Sequence, residues 1–220
     1  MSGLPRRRAA LAGVAALVLA GCGAPEFQYA AEQPGSVPAG TVYFKVPQGW
    51  TQFPAASIAA AEKQWSGGGD PGLIVSATAW QEAYDAAADP SLDHVLGRTT
   101  PDHPVVYASL RSLYTEEQAG ATRDALRDML VPVSTAGSGV TIRTDQDVAQ
   151  GGAQGVHLVF SYAPSPGQPE ETIDQTAYLS DGTDAVYLLV VRCTSTCYDQ
   201  NQDAIEAVTS SYTIQEAGHG

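Results

Sequence analysis

The chain has 220 residues, with 24 acidic and 11 basic side chains and a formal net charge of −13 at pH 7. Such an acidic chain is repelled by nucleic acid, so we expect no nucleic-acid partner. Its length suits one domain with a sizeable core. Nine arginines against two lysines, with a single asparagine, are typical of a GC-rich genome, and we expect an actinobacterial source.

The first 22 residues have the layout of an export signal. Three arginines at 6–8 precede twelve uncharged apolar or small residues at 9–20, and small residues continue up to Cys22. This order is that of a secretory signal peptide. Twelve apolar residues are too few for a transmembrane helix, which needs about 20. The pattern therefore predicts export.

Leu19-Ala20-Gly21-Cys22 resembles the lipobox of bacterial lipoproteins at all four positions. The resemblance implies cleavage between Gly21 and Cys22 and acyl chains on Cys22, which would hold the protein on the outer face of the cell membrane. Two or three chains would anchor it stably, because each buried CH₂ contributes about 0.8 kcal/mol. The alternative is an ordinary signal peptide cut nearby, with Cys22 incidental. Without residues 1–21 the chain has 8 basic and 24 acidic residues, a net charge of −16.

Residues 23–40 lack hydrophobic periodicity and are rich in Gly, Pro, Ala and Gln. This composition predicts a flexible tether, with a root-mean-square span on the order of 23 Å. We therefore divide the chain into a signal peptide (1–21), a lipidated cysteine with its tether (22–40) and one globular domain (41–220).

The first half of the domain mixes strands and helices. We predict strands at 42–46, 73–80 and 105–113, and helices at 55–65 and 91–96. Thr115 and Gln118 have the spacing of a capping box, which indicates the start of a longer helix reaching residue 130.

From residue 139 the hydrophobic period becomes two, which predicts successive strands with short turns. Asp181-Gly182 is a hairpin signal between two of them. The segment 185–191 is apolar on both faces, so this strand is expected to be covered on both sides. A last helix is predicted at 200–211. The resulting class is α+β, an α/β/α sandwich around a mainly antiparallel sheet.

The two remaining cysteines, Cys193 and Cys197, are separated by three residues. An exported protein meets oxidising conditions, so a structural disulfide is expected. A redox pair, whose cysteines usually have two residues between them, and half of a metal site are the alternatives. No second Cys or His pair completes a zinc site.

The order of these elements, with Pro47-Gln48-Gly49-Trp50 after the first strand, resembles the PsbP-like fold. That family includes the photosystem extrinsic subunit, Ran-binding Mog proteins and actinobacterial lipoproteins of the LpqN/LpqT type. The resemblance implies a non-catalytic binding or assembly factor, because the family has no shared catalytic residue to carry across.

Candidate chemistry in the sequence is sparse, and we expect no enzyme activity, cofactor or metal. Asp102-His103 could supply two ligands or a loop-based hydrolase centre, but no third group is identifiable. Asp145 and Asp147 lack the glycine and the distal glutamate of a calcium loop. The acidic residues around the last hairpin, among them Glu171 and Asp174, are interpreted as a solvated face.

Three functions follow, in decreasing order of preference. The first is a non-enzymatic, membrane-anchored factor that binds an envelope protein. The second is a carrier of a small molecule or lipid, with a pocket between the sheet and a helix such as 55–65. The third is a hydrolase that uses Asp102 and His103.

Overall fold

The computed structural model describes residues 27–32, 40–65, 78–134 and 139–216. The predicted signal peptide and Cys22 lie outside these ranges. The strands are β1 Phe27–Glu32, β2 Gly40–Pro47, β3 Thr51–Pro54, β4 Thr78–Asp85, β5 Val105–Ser112, β6 Val140–Gln150, β7 Ala153–Tyr162, β8 Glu171–Leu179, β9 Ala185–Thr194 and β10 Thr213–Glu216. The helices are α1 Ala55–Trp65, α2 Leu92–Val95, α3 Thr115–Gln118, α4 Arg123–Arg127, α5 Ser195–Gln200 and α6 Gln202–Thr209.

Seven strands form the central sheet in the order β3-β4-β5-β9-β8-β7-β6. Every neighbouring pair is antiparallel. Strand β9 lies in the middle, and the side chains of its apolar run 185–191 are buried on both faces, as predicted. Two separate cores therefore share this strand.

A second sheet, with the order β1-β2-β10, covers one face of the central sheet together with α6. Phe44 of β2 is fully buried there, and its ring makes edge contacts with those of Trp80, Tyr84 and Tyr212. Alternate residues of β9, such as Leu189, face the same core. Burying these aromatic rings joins the small sheet to the central one.

The opposite face of the central sheet is covered by α1, α2 and α4. Their buried residues Ile58, Val95 and Leu126 pack on apolar side chains of the strands beneath. The predicted α+β class with a mainly antiparallel central sheet is thus confirmed. One outer layer, however, is a small sheet plus a helix. Within the described ranges, no helix is both long and apolar enough to cross a membrane.

The tether prediction is wrong for Phe27–Glu32, which forms β1 and pairs with β2 along its whole length. Its alternate residues Gln28 and Ala30 face inward, and Ala30 is buried in the core. Strand β10, absent from the predicted elements, pairs with the other edge of β2. The folded unit therefore includes residues before position 41.

The single helix predicted from 115 to 130 is wrong, because two short helices, α3 and α4, occupy this segment. The carboxylate of Glu117 accepts the backbone N–H of Tyr114 at 2.9 Å, one residue earlier than the expected box. Gly120 then disfavours continuation, and the hydroxyl of Thr122 accepts the N–H of Ala125 to begin α4. The last helix, predicted at 200–211, corresponds to α6, and α5, absent from the predicted elements, precedes it.

Candidate functional site

A cleft of 920 Å³ opens on the helix-covered face of the central sheet. Its floor is formed by β5, β8 and β9, and its walls by the end of α1, residues 96–100 after α2, residues 130–131 after α4, and the β7–β8 loop. The small sheet lies on the other face of the central sheet. The cleft and the small sheet are therefore on opposite sides of the domain.

A buried ion pair lies in the floor of the cleft. Arg192 of β9 donates its Nε–H to Oε1 of Glu171 in β8, whose side chain is 1% exposed. Oε2 of Glu171 is buried and has no hydrogen-bond partner among the described residues. Burial raises the pKa of the Glu171 carboxyl above its ordinary value, and the charge of Arg192 offsets part of that increase.

Arg192 uses only its Nε to bind Glu171. Arg192 lines the cleft, and its terminal N–H groups make no hydrogen bond to the residues that the structure describes. Nη1 lies against the backbone of Gly97, where a β-carbon would be 2.6 Å away. Gly97 has φ +71°, so a glycine suits both the backbone turn and the close approach. The guanidinium is thus positioned with donors available to an anionic group.

The rim of the cleft carries exposed apolar surface. Trp65, at the end of α1, is 65% exposed, and Leu130 is also exposed. The guanidinium of Arg98 lies 5.1 Å from the centre of the Trp65 ring and binds Asp93 at 2.8 Å. An exposed tryptophan held by a cation–π contact is the kind of anchor that contributes strongly to protein interfaces.

A second carboxylate, that of Glu62 in α1, lines the cleft near Tyr107. Burial raises the pKa of Glu62, and a hydrogen bond with Gln81 opposes the increase. Its Oε2 is buried and has no partner among the described residues. Burial raises the pKa of Tyr107 to about 12, and its hydroxyl donates to Gln81 at 3.0 Å. Tyr107 is therefore neutral at pH 7.

The cleft brings together groups that can bind a ligand. Its ionisable side chains are carboxylates, guanidinium groups and tyrosines, and no histidine or cysteine belongs to the described residues that line it. It combines the apolar rim of Trp65 and Leu130, the guanidinium of Arg192 and the buried carboxylate of Glu171. Such a surface suits a ligand with an anionic group next to apolar surface.

The predicted lipidation and cleavage residues, Cys22 and Gly21, lie outside the described residues. Cys193 at the end of β9 and Cys197 in α5 are joined by a disulfide, with their Cα atoms 5.9 Å apart. Both are buried. The disulfide links the end of β9 to α5, on the face of the central sheet opposite the cleft.

The predicted hydrolase candidates, Asp102 and His103, are not part of the cleft. Nδ1 of His103 lies 2.7 Å from Oδ1 of Asp102, and both side chains are exposed. This hydrogen bond is the main cause that lowers the pKa of Asp102.

Asp145 and Asp147 face α4, where both accept hydrogen bonds from Arg127, at 2.8 and 2.7 Å. Asp147 also pairs with Arg123. Both carboxylates therefore form ion pairs with arginines of α4. No group of three or more His, Cys, Asp or Glu side chains that could hold a metal occurs in the described part of the chain.

The interpretation of the hairpin acids as a solvated face is wrong for Glu171 and Asp174, which are buried. Both faces of β8 are covered. Tyr198 of α5 contacts Asp174 on one face, and α4 lies over the other, where the carbonyl of Leu126 accepts from Gln175. Each acid has a cationic or hydroxyl partner. Asp174 contacts His157 at 2.9 Å and accepts from Tyr198 at 2.8 Å. Arg192 had no local sequence signal, because its partner Glu171 lies on the neighbouring strand.

No family model and no curated protein matches the chain. Among solved structures, it is similar to LpqN, a protein involved in cell envelope biogenesis of Mycobacterium tuberculosis. The identity is 18% and the TM-score 0.50, over 87% of this chain and 92% of LpqN. This likeness shows that the two proteins share a fold, which confirms the predicted fold resemblance to LpqN-type lipoproteins.

Two further similar structures have TM-scores below 0.5. Cyanobacterial PsbP from Synechocystis sp. PCC 6803 has a TM-score of 0.49 and 13% identity, covering 88% of this chain and 95% of its own. The Ran-binding protein Mog1p from Saccharomyces cerevisiae has a TM-score of 0.46 and 8% identity, covering 88% and 97%.

Proposed function

We propose that this chain is an extracytoplasmic lipoprotein, anchored through acyl chains on Cys22, whose cleft binds an envelope protein without catalysing a reaction. The observation that carries the proposal is the combination of exposed Trp65 and Leu130 at the rim with the available donors of Arg192 in the floor. The matching partner surface would be an apolar segment that carries a carboxylate.

Two further observations support this role. The N-terminal sequence has the order of a lipoprotein signal, which would place the domain outside the cell membrane. The fold is that of LpqN, a protein involved in cell envelope biogenesis. A binding factor with these properties needs an exposed recognition surface and no reacting groups.

In-cell photo-crosslinking tests the proposal. A photoreactive amino acid at Thr99, which lines the cleft, is expected to capture one particular envelope protein. The matched control places it at exposed Thr141 on β6, outside the cleft lining. Trp65→Ala should reduce the Thr99 adduct by roughly tenfold or more, as for an interface anchor.

Two results would contradict this function. One is the same set of captured proteins from both positions. The other is no specific adduct at Thr99 in any of several growth conditions, with the protein present in the membrane fraction.

The cleft also favours a second candidate, a carrier of a small molecule or lipid. Its volume of 920 Å³ lies within the range of about 300–1,000 Å³ typical of ligand pockets. Native mass spectrometry of protein purified from its own cells without denaturant would then show an added mass. Loss of that mass in Trp65→Ala would locate the ligand in the cleft, whereas retention would place it elsewhere.

A further inference from the structure

The outer face of the small sheet is an aromatic surface. In the register of β1 with β2, Phe27 lies opposite Pro47 and Tyr29 opposite Lys45, and Tyr43 lies opposite Thr213 of β10. These residues alternate with the buried ones along the strands, so they share the outward face. We call the set Phe27, Tyr29, Thr41, Tyr43, Lys45, Pro47, Thr213 and Gln215 the aromatic face.

Two exposed tyrosines lie on this face. Tyr29 is 62% exposed and Tyr43 37%, and their rings stack with centroids 5.7 Å apart. Nζ of Lys45 lies 4.6 Å from the centre of the Phe27 ring. Exposed tyrosines with an adjacent lysine are typical of surfaces at the membrane–water interface, where the ring enters the headgroup region and the hydroxyl remains hydrated.

The charge of the aromatic face differs from that of the rest of the chain. The protein has 24 acidic residues against 11 basic ones, yet none of the eight residues of the face is acidic and one is a lysine. On the central sheet, by contrast, the edge strand β6 exposes Asp145 and Asp147. Anionic headgroups repel exposed carboxylates, so an anchored domain would turn its acid-free face toward them.

The length of chain between anchor and fold favours the same orientation. Phe27, the first residue of β1, belongs to the aromatic face and follows Cys22 by five positions. Five residues span at most about 18 Å. A domain of this size is roughly 40 Å across, so an anchor at Cys22 keeps this side of the domain nearest the bilayer.

We infer that the aromatic face rests on the membrane interface and that the cleft, on the opposite face of the central sheet, points away from the membrane. This inference rests on the proposed anchoring at Cys22. Membrane contact would then orient the binding surface toward proteins in the surrounding envelope.

Fluorescence quenching in vesicles tests the orientation. The mature lipidated protein is reconstituted into equimolar phosphatidylcholine and phosphatidylglycerol, with bromine atoms near the carbonyl end of the acyl chains. Tyr29→Trp supplies a reporter on the aromatic face, and Ile142→Trp supplies a matched reporter at an exposed residue of β6. The signal of the native tryptophans Trp50, Trp65 and Trp80 is subtracted with the parent protein.

The reporter at residue 29 is expected to be quenched roughly threefold more than that at 142, with emission shifted to the blue, because interfacial aromatic rings enter the headgroup region. Adding Tyr43→Glu should remove at least about half of this quenching, since a carboxylate is repelled by the anionic lipid. Equal quenching at the two reporters would overturn the inference.

Vesicle flotation separates this inference from the anchoring on which it rests. If the parent protein floats with vesicles, Cys22→Ser does not, and residue 29 is unquenched, then the orientation alone is overturned. If neither protein floats after expression with the signal peptide, the anchoring itself is wrong. Flotation of both proteins would show attachment that does not need Cys22, and quenching at residue 29 would then decide the orientation on its own.

Discussion

Nη1 of Arg192 is packed against Gly97 so closely that a β-carbon at residue 97 would lie 2.6 Å from it. Gly97→Ala is therefore expected to displace the guanidinium and to strain a backbone with φ +71°. We expect a loss of about 1–2 kcal/mol in the free energy of unfolding, measured with urea. Gly49→Ala is the control, because Gly49 has φ +90° but no atom near its would-be β-carbon. Equal losses in the two variants would argue against the Arg192 contact.

Arg192→Met should be strongly destabilising at neutral pH, because it leaves the carboxylate of Glu171 buried without its cation. The expected loss is about 3–5 kcal/mol in the free energy of unfolding. The double variant Glu171→Leu, Arg192→Met should recover most of it, since no unpaired charge remains. If the double variant is as unstable as the single one, the cost comes from lost packing.

The pH dependence of the Arg192→Met variant follows from the raised pKa of Glu171. A carboxyl whose folded pKa lies above its unfolded value binds protons more tightly in the folded state. Its contribution is most favourable below the unfolded value of 4.5 and is lost as pH rises through the folded pKa. Urea titrations at pH 4.5 and 7 should therefore show a smaller deficit at the lower pH.

His157 should stabilise the fold more in acid than in base. Its hydrogen bond to Asp174 raises its pKa, and burial opposes the increase. For a histidine with a raised folded pKa, the stabilisation is fully present below the unfolded pKa and is lost as pH rises through the folded one. His157→Gln should cost about 1 kcal/mol more at pH 5.5 than at pH 8.5. A pH-independent difference in unfolding free energy would exclude this charge contribution.

Adjacent residues of β2 should differ sharply in their effect on stability. Phe44 is fully buried between the two sheets, so Phe44→Ala should lower the free energy of unfolding by about 3–5 kcal/mol. Tyr43 points outward, and Tyr43→Ala should cost less than about 1 kcal/mol. Chemical denaturation of both variants checks the side-chain alternation, and similar losses would contradict the assigned register.

The Cys193–Cys197 disulfide should contribute modestly, because it closes a loop of only a few residues. Cys193→Ala with Cys197→Ala is expected to lower the free energy of unfolding by about 2 kcal/mol or less. A reducing agent should lower the stability of the parent protein by a similar amount. The same treatment should leave the variant unchanged, and a change in the variant would show an effect unrelated to this bond.

Local periodicity predicted much of the central sheet. Helix α1 begins and ends at the predicted residues, and the apolar run of β9 correctly indicated cover on both faces. These elements are long enough for their side-chain spacing to identify them. Strand β10 has only four residues, and β1 lies in a segment rich in small residues, so neither produced a distinctive pattern.

The cleft could not be predicted in the same way. Arg192 lies opposite Ile173 in the strand register, and only this pairing brings it to Glu171, 21 residues earlier in the chain. Trp65, at the end of α1, and Leu130, in the segment after α4, reach the same rim from separate parts of the chain. Sequence spacing does not report such long-range proximity. The acids of β8 are likewise buried by elements distant in the chain, α4 on one face of the sheet and α5 on the other.

The pairing of β1 with β2 has a mechanical consequence. Phe27 and Pro47 form the open end of this strand pair. A force applied through the chain before residue 27 therefore acts at this end. Such a force loads the inter-strand hydrogen bonds one after another, so the pair unzips instead of resisting in shear. Once β1 has separated from β2, its six residues would lengthen the connection to the domain by up to about 20 Å. The strand could thus act as an extensible link that yields under tension before the central sheet bears load.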